Sequence, residues 1–292
     1  MSLWQQIEEE IGRFRGNPFR ITQRRVIAGG SINNAYQVGD GHDQFFVKTN
    51  RAHLAFMFEA EVRGLQALHS SQTITVPEPI THGVYAHESY SVIEWIDLSR
   101  APRSDEFGRK MAAMHRCQEA NFGFDIDNSI GSTPQRNPWS ADWVDFWRKQ
   151  RLGYQLELAH DNRLGNRLQD LGHSLLEHCG AFFSEYRPKP SLLHGDLWSG
   201  NWAGNNRGAP VIFDPATYYG DREADLAMME LFGGPGRAFF DAYHAAYPID
   251  PGYEQRKVLY NVYHILNHAN MFGGGYSAQA ENMMESLLAK VR

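Results

Sequence analysis

The sequence predicts an α+β protein of two lobes, in which a small N-terminal antiparallel sheet with one main helix precedes a larger, mostly helical C-terminal lobe. Runs of β-forming residues are concentrated in the first part of the 292 residues. Long amphipathic patterns with helical spacing fill most of the remainder, and no internal repeat is present. The change of pattern predicts a boundary that divides the chain into residues 1–97 and residues 98–292.

Three runs of β-forming residues open the N-terminal lobe. RITQRRVIAGG (20–30) predicts a strand that enters a turn, AYQVGD (35–40) predicts the returning strand, and QFFVKTN (44–50) predicts a third. The last two are separated by a turn at Gly39-Asp40-Gly41. Such short connections favour an antiparallel sheet.

One helix and one further strand complete the small lobe. From Leu54 to Leu68 the apolar residues recur on one helical face, and VPEP (76–79) closes the loop that follows. This face is formed by Phe58, Val62, Leu65 and Leu68. The run YSVIEWI (90–96) then predicts a strand that leads out of the sheet and into the helical lobe.

The C-terminal lobe is predicted from three long helical patterns, which cover residues 105–120, 142–159 and 166–183. After them, APVIFDPA (209–216) predicts a short strand that ends in an acidic turn.

Composition narrows the classes of function. The net charge of −6 and the dispersed Lys and Arg residues argue against a nucleic-acid partner. No apolar run is long enough for a membrane helix, and the acidic N-terminal stretch is unlike a signal peptide. The two cysteines, Cys117 and Cys179, fit a reducing compartment better than a disulfide framework or a zinc site. We therefore expect a soluble cytoplasmic protein with no membrane partner.

The most informative group of polar residues lies in LLHGDLWSGN (192–201). Asp196 is followed five residues later by Asn201, and Asn201 is followed thirteen residues later by Asp214. A carboxylate on a tight loop, an amide shortly after it and a second carboxylate beyond a turn suit phosphoryl transfer with magnesium. Asp196 would accept the proton of the attacking hydroxyl, while Asn201 and Asp214 would hold the metal. Taken alone, an Asp beside a Gly is more often a turn residue.

This pattern resembles the catalytic loop of protein kinases and of the small-molecule kinases related to them. His194, Asp196 and Asn201 stand where that loop has its His, Asp and Asn, and His194 is expected to support the loop backbone. Gly195 replaces the Arg of protein kinases, and Pro215-Ala216 replace Phe-Gly after the metal-binding Asp. These departures are typical of the aminoglycoside- and choline-kinase-like branch. They argue against regulation by a moving Phe or a phosphorylated loop.

The same resemblance implies an ion pair in the first lobe. Lys48 lies in a predicted strand and Glu61 lies thirteen residues on in the predicted helix, so the two would position ATP phosphates. Glu59 competes for this role, but it lies about 160° further back around the helix and cannot face the site together with Glu61. Glu61 is favoured, because related aminoglycoside kinases use the second Glu of an E-x-E stretch. Without the downstream loop, Lys48 would be interpreted as an exposed edge-strand lysine.

A candidate phosphate-binding loop, AGGSINNAY (28–36), lies between the first two predicted strands. Gly29 and Gly30 would let the backbone approach the phosphates closely, and Ser31 and Asn33 would add hydrogen-bond donors. The stretch lacks a full G-x-G-x-x-G pattern and equally suits a simple hairpin turn.

A candidate adenine-binding segment lies at the connection between the lobes. The backbone of Glu94, Trp95 and Ile96, in the run VIEWIDL (92–98), is predicted to be extended and would pair with the base through its N–H and C=O groups. A buried strand end would give the same pattern, and the two interpretations are compatible.

Longer motifs resemble the fructosamine kinase family, also called ketosamine-3-kinases. The resemblance rests on the catalytic loop together with FDPATYYGDREADLAMMELFGG (213–234), on MFEAEVRGLQAL (57–68) with VPEP, and on NHANMFGGGY (267–276). Its distinctive parts are the Trp between the catalytic Asp and Asn and the stretch D-P-A-x-Y-Y-G. The resemblance runs from about the glycine loop to near the C-terminus.

The resemblance implies ATP-dependent phosphorylation of the 3-hydroxyl of a ketosamine, such as fructosyl-lysine or ribulosyl-lysine, free or on glycated protein. The product decomposes and frees the amine, so the outcome is deglycation. The implied cofactors are ATP and Mg²⁺, with Asp196 as base and Asn201 and Asp214 as metal ligands. Ser31 stands where some members carry a redox-sensitive Cys, so that regulation is not expected.

Several side chains near the motifs have two interpretations each. Trp198 either stacks on the apolar face of the sugar or only packs the catalytic loop. His264 and His268 lie four residues apart on a predicted helix and either border the substrate cleft or belong to a solvated face. No Glu accompanies this pair in a metalloprotease arrangement. Asp225 is expected to brace the catalytic loop by accepting backbone N–H bonds.

Two other functions stay open from the sequence. A kinase for another small hydroxylated amine, such as an aminoglycoside, choline or homoserine, would share the catalytic pattern. A nucleotide-binding pseudokinase is disfavoured because Lys48, Asp196, Asn201 and Asp214 are all present. Among ketosamines, the family resemblance favours ribulosamines for a bacterial-type member.

Overall fold

The computed structural model describes residues 2–28 and 32–291. The N-terminal part contains the strands β1 (Gln23–Ile27), β2 (Asn34–Gly39), β3 (Gln44–Arg51), β4 (Pro79–Tyr85) and β5 (Glu88–Glu94). They form one antiparallel sheet with the order β1-β2-β3-β5-β4. The predicted antiparallel sheet is confirmed. Strand β4 was not predicted, because it begins at Pro79, the last residue of the VPEP stretch that was interpreted as a loop.

Two helices pack on this sheet. The first, α1 (Leu3–Arg15), was not predicted, although the sequence carries its signals: Ser2 and Gln5 form a capping box, and Gly16 ends the helix with a φ of 73°. Leu3, Ile7 and Ile11 of α1 are buried in a cluster that includes the sheet residues Val38 and Val47.

The second helix, α2 (Ala55–Ser70), is the one predicted from its apolar face. The four predicted face residues, Phe58, Val62, Leu65 and Leu68, are all buried. Glu61 is buried with them, whereas Glu59 is exposed to solvent. The helix therefore directs one acidic side chain towards the sheet and the other away from the protein.

The remainder of the described chain is mostly helical. Its helices are α3 (Ser104–Met114), α4 (Trp143–Phe146), α5 (Tyr154–Asp161), α6 (Asn166–His178), α7 (Glu223–Leu231), α8 (Arg237–Ala246), α9 (Tyr253–Phe272) and α10 (Tyr276–Val291). A π-helical stretch, Trp147–Gly153, joins α4 to α5. Within the described residues, none of the helices combines the length and the apolar character needed to cross a membrane.

Six short strands form three antiparallel pairs around the polar motifs. They are β6 (Asn128–Ile130), β7 (Thr133–Gln135), β8 (Ser191–Leu193), β9 (Trp202–Gly204), β10 (Pro210–Ile212) and β11 (Tyr218–Gly220), paired as β6–β7, β8–β11 and β9–β10. The loop with Asp196 connects β8 to β9, and Asp214 lies between β10 and β11. The predicted strand at 209–216 is shorter than expected, because Asp214 has left-handed backbone, with a φ of 56°.

The predicted α+β class with a small sheet lobe and a larger helical lobe is confirmed by this arrangement. Residues 95–99, between β5 and α3, belong to no helix or strand. The boundary between residues 97 and 98 falls in this connection and stays a prediction.

Candidate active site

A glycine sets the shape of the loop that carries Asp196. Gly195 has a φ of 83°, and a β-carbon at this position would lie 2.1 Å from the carbonyl oxygen of Ala216. An L-residue would therefore be strained and would also collide with backbone. The N–H of Ala216 donates to the carbonyl of His194 at 2.9 Å, so the loop and the segment after Asp214 lie directly against each other. This close approach explains why a glycine stands where protein kinases have Arg.

Asp225 holds the loop from its buried side, as predicted. This residue of α7 accepts the backbone N–H of His194 at 2.8 Å and that of Gly195 at 2.9 Å. His115, at the end of α3, lies with its Nε2 3.2 Å from the same carboxylate, and its Nδ1 lies 2.7 Å from the hydroxyl of Tyr243. Burial alone would raise the pKa of Asp225, but the hydrogen bond and charge of His115 and the loop contacts lower it.

His194 supports the loop instead of facing the cleft. Its Nδ1 accepts the N–H of Asp196 at 3.3 Å, and its Nε2 lies 2.9 Å from the carbonyl of Phe213, which can only accept. The ring proton is therefore on Nε2. Burial lowers the pKa of His194, so the ring stays neutral.

Asp196, Asn201 and Asp214 meet at the cleft side of the loop. The amide nitrogen of Asn201 lies 2.8 Å from the carbonyl oxygen of Asp196, 3.2 Å from its Oδ2 and 3.4 Å from the carbonyl oxygen of Asp214. Burial, followed by the negative charge of Asp214, raises the pKa of Asp196 to about 7. The three side chains thus form an oxygen-rich group with a carboxyl that titrates near neutral pH.

Lys48 joins this group from the sheet. Its Nζ lies 2.7 Å from Oε1 of Glu61 and 2.5 Å from Oδ1 of Asp214. Burial opposes the charge of Lys48, but the two carboxylates outweigh burial and raise its pKa above the ordinary value. The structure brings Lys48 to Glu61 and leaves Glu59 in solvent, so the pairing is with the second Glu of the E-x-E stretch.

The donor set around Asp214 fits a magnesium ion delivered with a nucleotide. Among the described residues, no group of three or more His, Cys, Asp or Glu side chains is arranged to hold a metal by itself. Magnesium in phosphotransferases needs only one or two carboxylates, together with phosphate oxygens and water. Asp214 offers a half-exposed carboxylate, and Asn201 keeps its amide oxygen while its nitrogen faces the loop.

The structure describes only some of the residues in the predicted phosphate-binding loop. Gly29, Gly30 and Ser31 lie outside the described residues. Asn33 does not extend freely from this loop, because its side-chain oxygen accepts a 2.7 Å hydrogen bond from Asn50.

The connection between the lobes has one backbone donor already in use. The N–H of Glu94 donates to the carbonyl of Glu78 at 2.8 Å, so it is not free for a ligand. Trp95 packs against Phe46 with ring centroids 6.2 Å apart, and Ile96 is partly buried. The backbone beyond Glu94 leaves the sheet, and the adenine-binding role of Glu94, Trp95 and Ile96 stays a prediction.

Trp198 lies on the catalytic loop, whereas His268 belongs to an aromatic surface that is formed by Phe232, His268, Phe272 and Tyr276. The Trp198 ring is 41% exposed and covers Gly200, where an added β-carbon would lie 2.2 Å from the ring. Ser199 donates to the carbonyl of Phe232 at 2.8 Å, and the Phe232 ring packs on His268 with centroids 5.0 Å apart. Trp198 therefore packs on its own loop and also presents a face to solvent.

The two histidines of α9 do not form a metal pair. His268 donates from Nδ1 to the carbonyl of His264 at 2.8 Å. His264 is buried, and within the described residues its Nδ1 has no hydrogen-bond partner. Burial lowers the pKa of His264 to about 3. His264 is thus an interior residue, and only His268 reaches the aromatic surface.

Two parts of the site were missed from the sequence. His115 and Tyr243 complete the anchor of Asp225, and the hairpin β6–β7 contacts the backbone just after Asp214. His115 is a buried polar residue that follows the buried Met111, Ala112 and Met114 at the end of α3, which is a weak signal. The hairpin strands have three residues each, too few for an alternating pattern to be recognised.

Comparisons with known proteins identify the family to which this chain belongs. The family model for fructosamine kinase matches residues 3–290. A Synechocystis sp. protein assigned as a ketoamine kinase is 49% identical over 288 residues, which cover 98% of this chain and 97% of the relative. The chloroplastic protein-ribulosamine 3-kinase of Arabidopsis thaliana is 43% identical over 282 residues, covering 95% of this chain and 86% of the relative.

Solved structures with a similar fold include proteins of two kinds. A Haemophilus somnus crystal structure assigned as a fructosamine-3-kinase matches with a TM-score of 0.88 and 28% identity, covering 98% of this chain and all of that one. The ADP-bound aminoglycoside phosphotransferase APH(2'')-Ib matches with a TM-score of 0.64 and 14% identity, covering 97% and 98% of the two chains. At that identity the second likeness concerns the fold alone, which is the kinase-like fold of aminoglycoside phosphotransferases.

Proposed function

We infer the reaction of this protein from the fact that it belongs to the fructosamine kinase family. It is an ATP-dependent phosphotransferase with an alcohol group as acceptor. The acceptor we propose is the 3-hydroxyl of a ketosamine, that is, a ketose joined to an amine such as the side chain of lysine. Phosphorylation at this position makes the adduct decompose and frees the amine, so the outcome is deglycation.

One observation carries the proposal. Asp196, a carboxyl with a pKa of about 7, lies beside Asn201 and across from Asp214, which is itself held by Lys48. A base that titrates near neutral pH suits acceptance of a proton from a sugar hydroxyl as that oxygen attacks phosphorus. We assign Asp196 as this base.

The charges on the other side of the cleft suit the nucleotide. Lys48 is the cation available to the phosphates, and Glu61 fixes its position from α2. The buried ion pair keeps Lys48 protonated, so its ammonium group can contact phosphate oxygens without a proton transfer.

Asn201 and Asp214 would hold Mg²⁺ through an amide oxygen and a carboxylate oxygen. When bound, the ion would supply positive charge that stabilises the negative charge of the transferred phosphoryl group. Because Asp214 already contacts Lys48, the same carboxylate would link the metal to the phosphate-positioning cation.

The remaining contacts of the nucleotide are assigned to backbone. Gly29, Gly30 and Ser31 would cover the phosphates, and the extended backbone at Trp95 and Ile96 would pair with adenine. The Glu94 carbonyl would be the third adenine contact, and the N–H of Glu94 would take no part, since it already donates to the carbonyl of Glu78.

The ketosamine is proposed to lie between the catalytic loop and the aromatic surface. Trp198 would stack on the apolar face of the sugar, and His268 would border the amine side. Ribulosamines are the preferred sugars in this proposal, in keeping with the name of the Arabidopsis relative. Free or protein-bound adducts in the cytoplasm are the proposed targets.

A substrate panel tests the proposal. The protein is incubated with Mg-ATP and ribulosyl-lysine, fructosyl-lysine, kanamycin, choline or homoserine, and the phosphate is located by NMR. We expect transfer to the 3-hydroxyl of the ketosamines and none to the other amines. Transfer to an amine outside the ketosamines, with none to either ketosamine, would replace the proposed acceptor by the alternative one.

A further inference from the structure

The hairpin β6–β7 carries two buried amide side chains that face each other. Asn128 and Gln135 are directly paired across the hairpin, and both are almost fully buried. The amide nitrogen of Gln135 donates to the side-chain oxygen of Asn128 at 2.7 Å. Neither residue belongs to a motif of the catalytic pattern, and a buried amide is retained only where its hydrogen bonds are satisfied.

The outward-facing donors of this pair are directed to the backbone that follows Asp214. Gln135 donates to the carbonyl of Ala216 at 3.1 Å, and Asn128 donates to the carbonyl of Thr217 at 2.8 Å. Asn128 and Gln135 together are called the amide clamp here. The clamp thus holds two consecutive peptide carbonyls, starting two residues after the proposed metal ligand.

The hairpin is itself fixed from the opposite side by α9. The hydroxyl of Tyr263 donates to the side-chain oxygen of Gln135 at 2.8 Å, which sets the orientation of that amide. Asn267 of the same helix lies 3.4 Å from the carbonyl of Ile130 near the hairpin tip. Both bonds come from α9, so the hairpin is attached to the core of the larger lobe.

Helix α2 closes the clamped segment on its other face. A β-carbon added at Gly64 would lie 2.9 Å from the side-chain oxygen of Thr217 and 3.5 Å from Pro215. Gly64 lies three residues after Glu61 on α2, so the part of the helix that carries the partner of Lys48 also contacts the clamped segment. The segment Pro215 to Thr217 is therefore held between the amide clamp and α2.

We propose that Asn128 and Gln135 are positioning residues that preset Asp214 for magnesium by holding the carbonyls of Ala216 and Thr217. Asp214 has left-handed backbone, which is uncommon for a residue with a side chain and needs support from its neighbours. The clamp supplies that support in a chain that has Pro-Ala in place of Phe-Gly. Metal binding then requires no rearrangement of this segment. The inference rests on the proposed role of Asp214.

Magnesium-dependent nucleotide binding tests the clamp without relying on phosphoryl transfer. The dissociation constant of AMP-PNP is measured by calorimetry with Mg²⁺ and with EDTA, for the wild type, Gln135→Glu and Asn128→Asp. Each substitution preserves size and the accepting oxygen but replaces the donor to the carbonyl by an oxygen. We expect the tightening by Mg²⁺ to fall by about tenfold in both variants, as for other groups that orient a metal ligand. Binding in EDTA should change little.

Gln169→Glu is the matched control. Gln169 of α6 is partly buried and, like the clamp residues, donates from its side-chain amide to a peptide carbonyl, that of Leu156, at 3.0 Å. In the described part of the chain, its hydrogen bonds do not reach the hairpin β6–β7 or the segment after Asp214. Its substitution makes the same chemical change and should leave the effect of Mg²⁺ unaltered. Thermal unfolding of all variants identifies any that fail to fold. If Gln135→Glu fails to fold, Asn128→Asp provides the test.

Two results would overturn the inference. One is an unchanged Mg²⁺ effect in the folded clamp variants, and the other is an equal loss in the control. Failure of the proposed substrate would appear separately, because a protein that phosphorylates no ketosamine still binds AMP-PNP. The nucleotide readout therefore judges the clamp, and the substrate panel judges the acceptor.

Discussion

Asp196 and Asp225 lie on opposite sides of the same loop and differ in how their charge is compensated. Asp225 accepts two backbone N–H bonds and contacts His115, and its pKa is lowered despite burial. Asp196 has the amide of Asn201 as its side-chain hydrogen-bond partner and faces the negative charge of Asp214, and its pKa is raised to about 7. The same residue type is thus stabilised as an anion on one side and destabilised on the other.

This difference in charge compensation indicates that the two carboxylates have different roles in the loop. A fully paired carboxylate fixes the backbone that it binds, because moving that backbone would leave buried groups unpaired. A carboxylate with few partners and a raised pKa is available for proton transfer, which is typical of functional sites. The buried side of the loop therefore maintains the geometry that the cleft side requires.

The largest effect is expected for Asp196→Asn. Loss of the proposed base should lower kcat by about a thousandfold, within the range of general acid–base catalysis, while AMP-PNP binds with nearly wild-type affinity. Steady-state kinetics on a ketosamine and calorimetry provide the measurements. Substantial remaining turnover would show that another group accepts the proton.

The same variant has a second consequence for stability. The unfolded carboxyl ionises at lower pH than the folded one, so at neutral and higher pH the folded Asp196 carries a cost. Asp196→Asn is therefore expected to raise the free energy of unfolding at pH 8 in the absence of Mg²⁺. A destabilised variant would contradict the contrast drawn with Asp225.

The next effect is a loss of stability from Asp225→Ala. Removal of this carboxylate leaves two buried N–H groups and His115 without their partner, and we expect a loss of about 3 kcal/mol in the free energy of unfolding. Urea denaturation measures it. Asp225→Asn is the control, since its amide oxygen still accepts one N–H and its loss should be smaller. Equal stability of Asp225→Ala and the wild type would contradict the anchoring role.

The cleft side of the site could be predicted because its residues follow fixed spacings. Asp196, Asn201 and Asp214 lie within 19 consecutive residues, and the tight loop fixes their relative positions. Lys48 and Glu61 are equally close in sequence, on an adjacent strand and helix. Local connections of this kind leave few alternative arrangements, so the pattern indicates the chemistry directly.

The buried side could not be predicted in the same way. Asp225 was inferred from its place after the motif, but His115 is 110 positions from Asp225 and 128 from Tyr243. Nothing local pairs such residues, and only packing of α3 against α7 and α8 brings them together. The amide clamp was missed for the same reason. Helix α1, in contrast, had a complete capping signal at Ser2 and Gln5.

A smaller effect is expected from the two glutamates of α2. Glu61→Gln should raise the KM for ATP by about tenfold, because Lys48 loses one of its two carboxylate partners and is held less firmly. Glu59→Gln is the matched control, since that side chain is exposed, and should change the KM little. A larger rise in the KM for ATP in Glu59→Gln than in Glu61→Gln would assign the pairing with Lys48 to Glu59 and contradict the described geometry.

The smallest effect extends the comparison to two buried histidines. Both ring nitrogens of His115 have partners, whereas within the described residues the Nδ1 of His264 has none, and burial lowers the pKa of His264 to about 3. Below the unfolded value of about 6.5, the unfolded chain binds a proton that the folded chain does not, so stability falls as the pH falls. We expect the wild type to lose about 0.8 kcal/mol relative to His264→Gln between about pH 7.5 and about pH 6. Urea denaturation at both pH values measures this difference.

His87→Gln is the control, because His87 is exposed in the folded protein and hydrated after unfolding as well. Parallel curves of stability against pH for the wild type and His264→Gln would contradict the prediction. They would mean that the ring of His264 has a hydrogen-bond partner in solution, as the ring of His115 does.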